Sequence, residues 1–242
     1  MRCSTLLAAT ALLSACASQS VLESAVPAAA AQPAPIPAGA PFRDEILRFA
    51  QLDRESPPPR CPVLFVGSSS IRLWESLAAD MTPLPVLNRG FGGSTIADVN
   101  LYFDHVASPY RPRAIVFYAG ENDLDAGRPP AAVAAEFRRF LDAKRRALGE
   151  VPVFFISAKP SKLRLAQLAR QAELNAAVRS LARTRRDLVF IDIVPAMMKG
   201  GAPRDLYVGD GLHMAPAGYS IWRNLVRAAL LRRNVRQLPC PR

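Results

Sequence analysis

The sequence is poor in the side chains that build metal sites. Its 242 residues include two histidines and four cysteines, and neither Cys61 nor Cys240 has neighbours that would complete a zinc site. The glycine-rich stretch Asn88–Ser94 lacks a complete dinucleotide-binding fingerprint, and it does not contain the Gly-Lys-Ser/Thr of a Walker loop. These absences argue against a bound zinc ion and against the two common nucleotide-binding loops.

A hydrophobic run long enough to span a membrane is also missing near the N-terminus. The run Leu6 to Leu13 is too short to cross a bilayer, and it follows a single positive charge, Arg2. We interpret it as an export signal. Leu13–Cys16 resembles the lipobox of bacterial lipoproteins, in which the cysteine is lipidated. This resemblance predicts a signal over residues 1–15 and a lipid anchor at Cys16, and the alternative is an ordinary secretory signal that is cut nearby.

The segment that follows, residues 16–41, is rich in alanine and proline and has few charges. We interpret it as an extended tether, which leaves residues 42–242 as one domain. The residue after the cysteine is alanine rather than aspartate, and by resemblance to Gram-negative lipoproteins this favours the outer membrane, facing the periplasm or the cell surface. In such an oxidising compartment Cys61 and Cys240 are one candidate disulfide pair, and two unpaired thiols are the alternative.

The charge balance is strongly basic, with a formal net charge of +11. Most of the basic residues are arginines, and two segments are rich in them, Arg164 to Arg186 and Arg223 to Arg236. We interpret both segments as solvated helix faces. No zinc-finger spacing or aromatic RNA-binding signature accompanies them, so we do not expect a nucleic-acid partner. Acidic glycans or anionic lipid headgroups suit an exported basic protein better.

Five short apolar runs predict buried strands of a parallel sheet. They are rich in Val, Ile and Phe, and most lack polar alternation, as in strands covered on both faces. The runs are residues 63–66, 86–87, 114–118, 153–156 and 188–191. Helical spacing is visible between and around them, over residues 42–53, 131–148, 165–182 and 216–235. This alternation predicts a three-layer α/β/α domain with a five-stranded parallel sheet.

Four polar or glycine-containing segments stand out: three directly follow the first three predicted strands, where such a sheet binds ligands, and one lies shortly before the last helix. They are Gly67–Ser70, Asn88–Ser94, Gly120–Asp123 and Asp210–His213. Each has an ordinary structural explanation when taken alone: serines cap helices, glycines make flexible turns, and an Asn-Asp pair satisfies its own backbone. His213 is notable because an aspartate precedes it by three residues, so one loop can carry a base and the group that orients it. The other histidine, His105, is interpreted as structural.

Together the four segments resemble the conserved blocks of the SGNH, or GDSL-like, hydrolases over residues 62–225. The resemblance implies the following roles: nucleophile Ser69, base His213, orienting carboxylate Asp210, and an oxyanion hole formed by Ser69, Gly93 and Asn122. Ser68 stands where the family has aspartate. The resemblance also implies a flavodoxin-like strand order 2-1-3-4-5 and a final helix that returns Cys240 towards Cys61.

The activity that this resemblance implies is hydrolysis of carboxylic esters through an acyl-serine, without a metal or organic cofactor. The segments between the blocks are short, which favours small acyl groups, and an envelope location suggests glycan or small-molecule esters. A non-catalytic envelope lipoprotein that binds acylated glycan is the alternative function.

Overall fold

Five apolar segments form one parallel sheet in the computed structural model, which describes residues 33–241. The strands are β1 (Val63–Gly67), β2 (Val86–Gly90), β3 (Ala114–Tyr118), β4 (Val153–Ile156) and β5 (Leu188–Ile191), in the spatial order β2-β1-β3-β4-β5. This confirms the predicted parallel sheet and its strand order. The predicted signal and the predicted lipidation site Cys16 lie outside the described residues.

The three neighbouring strands β2, β1 and β3 end level with one another at their carboxyl edge. Gly67 at the end of β1 pairs in register with Gly90 of β2 on one side and with Tyr118 of β3 on the other. Because parallel strands all deliver their following residues to the same edge, the segments after β1, β2 and β3 begin side by side. The register therefore brings three of the four polar segments to one place.

Helices cover both faces of the sheet. They are α1 (Arg43–Glu55), α2 (Ser69–Arg72), α3 (Leu77–Met81), α4 (Ile96–Leu101), α5 (Phe103–Val106), α6 (Glu121–Asp125), α7 (Pro130–Leu148), α8 (Leu168–Thr184), α9 (Val194–Met197) and α10 (Pro216–Arg232). Among residues 33–241, no helix combines the length and the hydrophobicity needed to cross a membrane.

The strand side chains alternate between two hydrophobic cores. Leu64 and Val66 of β1 pack into the core on the side of α4, α7 and α8. Val63 and Phe65 point the other way, into the core that contains Trp74 and the buried face of α10. Successive side chains of a strand point to opposite faces, so apolar residues are required at every position of such a strand. This is why the runs lack polar alternation.

Two helical predictions differ in detail from the structure. The segment predicted as helical over residues 165–182 begins with a 3₁₀ turn, Leu165–Gln167, before α8. The last helix ends at Arg232, short of the predicted 235, because Asn234 takes a left-handed conformation with φ of 47°. A short hairpin of β6 (Met198–Lys199) and β7 (Ala202–Pro203) was not predicted from the sequence.

The last residues of the predicted tether contact the domain where the structure describes them. Ile36 packs against the core that includes side chains of α4 and α7, and the hydroxyl of Tyr102 donates a hydrogen bond to the carbonyl oxygen of Pro41. Nε2 of His105 lies 3.0 Å from the carbonyl oxygen of Ala34, which is a structural contact. The boundary between tether and domain stays a prediction.

A disulfide joins Cys61, just before β1, to Cys240, after α10, with the two Cα atoms 5.6 Å apart. Helix α10 runs back across the sheet from its carboxyl edge, which returns the end of the chain to the start of β1. The bridge spans 179 positions of sequence, and loop-entropy models assign a closure of this length about 5 kcal/mol of stabilisation.

Candidate active site

The turn between β1 and α2 presents Ser69 at the carboxyl edge of the sheet. Gly67 has a φ of +139°, and a Cβ there would lie 1.8 Å from the carbonyl oxygen of Tyr118, so only glycine fits. The next residue, Ser68, donates its backbone N–H to that same oxygen at 2.9 Å. These contacts fix the tight turn that starts α2 at Ser69, whose side chain is largely buried.

One row of hydrogen bonds joins Ser69, His213 and Asp210, although the serine and the histidine lie 144 positions apart in the sequence. Oγ of Ser69 lies 3.0 Å from Nε2 of His213. Nδ1 of His213 lies 2.6 Å from Oδ2 of Asp210. Because an ionised carboxylate only accepts hydrogen bonds, Nδ1 carries the proton, and Nε2 is left to accept a proton from the serine.

The loop that carries Asp210 and His213 is held by its own backbone. Oδ1 of Asp210 accepts the N–H of Leu212 at 2.8 Å and the N–H of His213 at 2.9 Å. The carbonyl oxygen of His213 accepts the N–H of Val208 at 2.9 Å. Burial alone would raise the pKa of Asp210, but these N–H groups and the imidazole outweigh it and lower the pKa to about 2. The carboxylate is therefore ionised at neutral pH.

Gly93 and Asn122 lie next to each other beside the serine turn. A Cβ on Gly93 would be 3.9 Å from Nδ2 of Asn122, and Nδ2 donates to the carbonyl oxygen of Ser94 at 3.0 Å. Oγ of Ser94 in turn lies 3.2 Å from the carbonyl oxygen of Gly67. Within residues 33–241, the backbone N–H groups of Ser69 and Gly93 have no hydrogen-bond acceptor. One N–H of the Asn122 amide is also left over, so three donors are available here.

Capping contacts hold the segment between β2 and α4 in place. Thr95 and Asp98 form a capping box, in which each side chain accepts the other's backbone N–H, at 3.2 and 2.8 Å. Oδ2 of the buried Asp123 accepts the N–H of Ile96 at 3.0 Å, and burial raises the pKa of Asp123 to about 6. This carboxyl group adjoins Asn122 in sequence, so it ties the start of α4 to the same segment.

A buried charge cluster, which could not be predicted from the sequence, lies behind Asn122. The carboxylate of Glu121 accepts two hydrogen bonds from Nζ of Lys159, at 2.7 and 2.9 Å, and one from the hydroxyl of Tyr118, at 2.7 Å. Burial lowers the pKa of Lys159, and the Glu121 carboxylate opposes that shift. The only sequence signal for Lys159 was its place soon after β4, where polar residues follow the other strands as well.

Arg164 is also buried, although the sequence pattern predicts that it lies on a solvated helix face. Its side chain is only 8% exposed. Its Nη2 donates to Oδ1 of Asn122 at 2.9 Å and to Oδ2 of Asp125 at 3.2 Å. The residue precedes α8 instead of lying in it, so helical periodicity did not apply.

Within residues 33–241, no group of three or more His, Cys, Asp and Glu side chains is arranged to hold a metal ion. The site does contain a serine hydroxyl that contacts an imidazole, a carboxylate that contacts the other side of the same imidazole, and unbonded N–H donors beside the hydroxyl. That set of groups can activate an oxygen nucleophile and stabilise a negatively charged oxygen.

Solved structures share this fold. A GDSL-like lipase from Bacteroides thetaiotaomicron matches with a TM-score of 0.66 and 20% identity, over 78% of this chain and 98% of that chain. A lipase/acylhydrolase from Enterococcus faecalis matches with a TM-score of 0.56 and 21% identity, over 75% and 99% of the two chains. A carbohydrate esterase family 3 protein from Talaromyces cellulolyticus matches with a TM-score of 0.60 and 17% identity, over 74% and 99%.

A comparison with curated proteins finds no match. The family model for GDSL-like lipases and acylhydrolases matches residues 65–221, which is more than half of the chain and includes every predicted active-site residue. The chain belongs to the GDSL-like lipase/acylhydrolase family.

Proposed function

We propose that this protein hydrolyses carboxylic esters with small acyl groups, with Ser69 as nucleophile, His213 as base and Asp210 as the carboxylate that orients the base. The observation that carries the proposal is the 3.0 Å separation between Oγ of Ser69 and Nε2 of His213, with Asp210 on the far side of the ring. Membership of an acylhydrolase family supports the reaction class.

The first half of the reaction forms an acyl-enzyme. Nε2 of His213 takes the proton from Oγ of Ser69 as the oxygen attacks the ester carbonyl carbon. The carbonyl electron pair moves to the oxygen, which becomes an oxyanion. When the tetrahedral intermediate collapses, the bond to the alcohol oxygen breaks, and His213 returns its proton to that oxygen so that a neutral alcohol leaves. Asp210 stabilises the imidazolium throughout.

The oxyanion is stabilised by the backbone N–H groups of Ser69 and Gly93 and by the free N–H of Asn122. One donor of this kind is typically worth about 2.7–4 kcal/mol of barrier. In the second half, His213 takes a proton from water, and the resulting hydroxide attacks the acyl carbonyl. Collapse of the second intermediate returns the proton to Oγ of Ser69 and releases the carboxylic acid.

The openness of the site favours a small acyl group on a large alcohol. The side chains of His213 and Asp210 are 28% and 44% exposed, so the base and its carboxylate lie at the surface of the domain. Such a shallow site admits part of a polymer more readily than it encloses a long acyl chain. A carbohydrate esterase is among the proteins with a similar fold, which supports an acylated glycan as the natural substrate.

A series of activated esters tests the acyl preference. We expect kcat/KM to be highest for acetate and propionate and to fall at least tenfold by octanoate, because a shallow site offers a long chain little apolar surface. Acetylated glycans, which we propose as the natural substrates, are assayed beside these esters. Equal or rising kcat/KM up to octanoate would contradict the small-acyl proposal. Saturable glycan binding without turnover would favour the non-catalytic alternative.

We also propose that the protein is exported and anchored to the outer membrane through a lipid on Cys16, with residues 16–41 as a tether. Expressed in a Gram-negative host with labelled palmitate, the full chain is expected to take up label and to partition with membranes. Cys16→Ala is expected to lose both properties. A secreted, unlabelled wild-type protein would show that an ordinary signal is cut nearby.

A further inference from the structure

The amide of Asn122 is held at both ends by the protein. Its oxygen accepts from Nη2 of Arg164 at 2.9 Å, and its nitrogen donates to the carbonyl oxygen of Ser94 at 3.0 Å. A flipped amide would place two oxygens together at Ser94 and two donors together at Arg164. The two contacts therefore fix which end of the amide faces Gly93 and the serine.

Arg164 forms an ion pair with Asp125, in which Nη2 lies 3.2 Å from Oδ2, and a longer one with Glu121. Glu121 is already satisfied by Lys159 and Tyr118, and Nη1 of Arg164 lies 3.7 Å from it, beyond hydrogen-bond distance. Within the described residues, Nε and Nη1 of Arg164 are buried without any hydrogen-bond acceptor. Buried donors without acceptors cost stability, so the ion pairs alone do not account for a guanidinium at this position, and its contact with Asn122 points to a further use.

The cationic charge also acts on the amide electronically. A guanidinium that donates to an amide oxygen draws electron density from the amide and makes its N–H groups stronger donors. The N–H that Asn122 has left over is the one available to a substrate oxyanion. Arg164 can therefore strengthen a transition-state contact without touching the substrate.

We propose that Arg164 is a positioning residue for the oxyanion hole: it orients and polarises the Asn122 amide through the contact with Oδ1. The proposal rests on the proposed function, because it concerns the same oxyanion. Its effect belongs to the transition state, where the negative charge develops, and therefore appears in kcat rather than in KM.

A double-mutant cycle tests this role, with kcat and KM measured on an activated acetate ester. Asn122→Ala is expected to lower kcat by about 100- to 1000-fold. Arg164→Met is expected to lower kcat by about 10- to 100-fold with KM changed less than threefold, because the donor remains but is no longer oriented and polarised. In the Asn122→Ala background, Arg164→Met is expected to cost less than about threefold, since the amide through which it acts is gone.

Two further variants control for structure. Arg164→Lys keeps the charge without the planar fork, so we expect a kcat between those of the wild type and Arg164→Met. Arg170→Gln removes an arginine that donates to the backbone carbonyls of Leu124 and Arg128, next to the same segment, without touching Asn122. It is expected to retain wild-type kcat. Thermal unfolding establishes that each variant is folded, and Arg164→Lys takes the place of Arg164→Met if the latter does not fold.

Equal losses from Arg164→Met in the presence and absence of Asn122 would overturn the proposal, because they would show an effect independent of the amide. An unchanged kcat in Arg164→Met, beside a large loss in Asn122→Ala, would overturn it as well and leave the proposed hydrolase intact. A wild-type protein that hydrolyses no ester would instead remove the proposed function and this inference together.

Discussion

Replacing Ser69 with alanine is expected to lower kcat for an activated acetate ester by about 10⁶-fold. The variant loses the oxygen that attacks the carbonyl, so no acyl-enzyme forms, and only binding and the oxyanion donors remain. The fold should be unaffected, because among residues 33–241 the lost hydroxyl bonds to His213 alone. The measurement is steady-state hydrolysis, with a thermal unfolding curve recorded on the same preparation.

The neighbouring serines provide matched controls. The hydroxyl oxygens of Ser68 and Ser70 are buried and have no hydrogen-bond partner among residues 33–241, so neither is activated by a base. Ser68→Ala and Ser70→Ala are each expected to keep kcat within about tenfold of wild type. If Ser68→Ala or Ser70→Ala lost activity while Ser69→Ala kept it, the nucleophile would be misassigned.

Replacing Asp210 with asparagine is expected to lower kcat by about 10⁴-fold. An asparagine amide can donate to Nδ1 of His213, which would leave the proton on Nε2 and remove the base that faces Ser69. The aspartate does the opposite: its pKa is lowered to about 2, so at neutral pH it is an acceptor only and holds the proton on Nδ1. The change alters the tautomer while preserving the shape of the side chain.

The control for this substitution is Asp205→Asn. Asp205 precedes the same loop and forms a surface ion pair with Nζ of Lys162 at 2.6 Å, but it does not contact the imidazole. Since an exposed pair of this kind contributes little, we expect wild-type activity. Comparable losses in Asp205→Asn and Asp210→Asn would indicate a general effect of loop charge and would contradict the orienting role.

The sheet could be predicted because its strands are buried on both faces. An uninterrupted apolar run such as residues 153–156 has few interpretations when helical patterns flank it, and all five predicted runs are strands. The strand order came from the family resemblance and not from the runs themselves. The helix ends were less accurate, because they depend on single backbone conformations, as at Asn234.

The site was predictable only where its residues have recognisable neighbours in the sequence. Ser69, Asn122 and His213 stand in short segments with recognisable neighbours, and the structure brings them together at one edge of the sheet. Glu121 adjoins Asn122, but nothing in the sequence shows that its partner is Lys159, which lies 38 positions away. In the sequence, Arg164 could not be distinguished from the many surface arginines, because only the fold shows which guanidinium is buried.

The most direct test of the central claim is to locate the residue that a serine-directed phosphonate ester modifies. Incubation of the wild-type protein followed by intact-mass and peptide mapping is expected to show one adduct, on Ser69. Modification is expected to be slowed strongly in His213→Ala, because the hydroxyl then lacks its base. Absence of an adduct, or an adduct on a serine outside hydrogen-bonding distance of His213, would contradict the account.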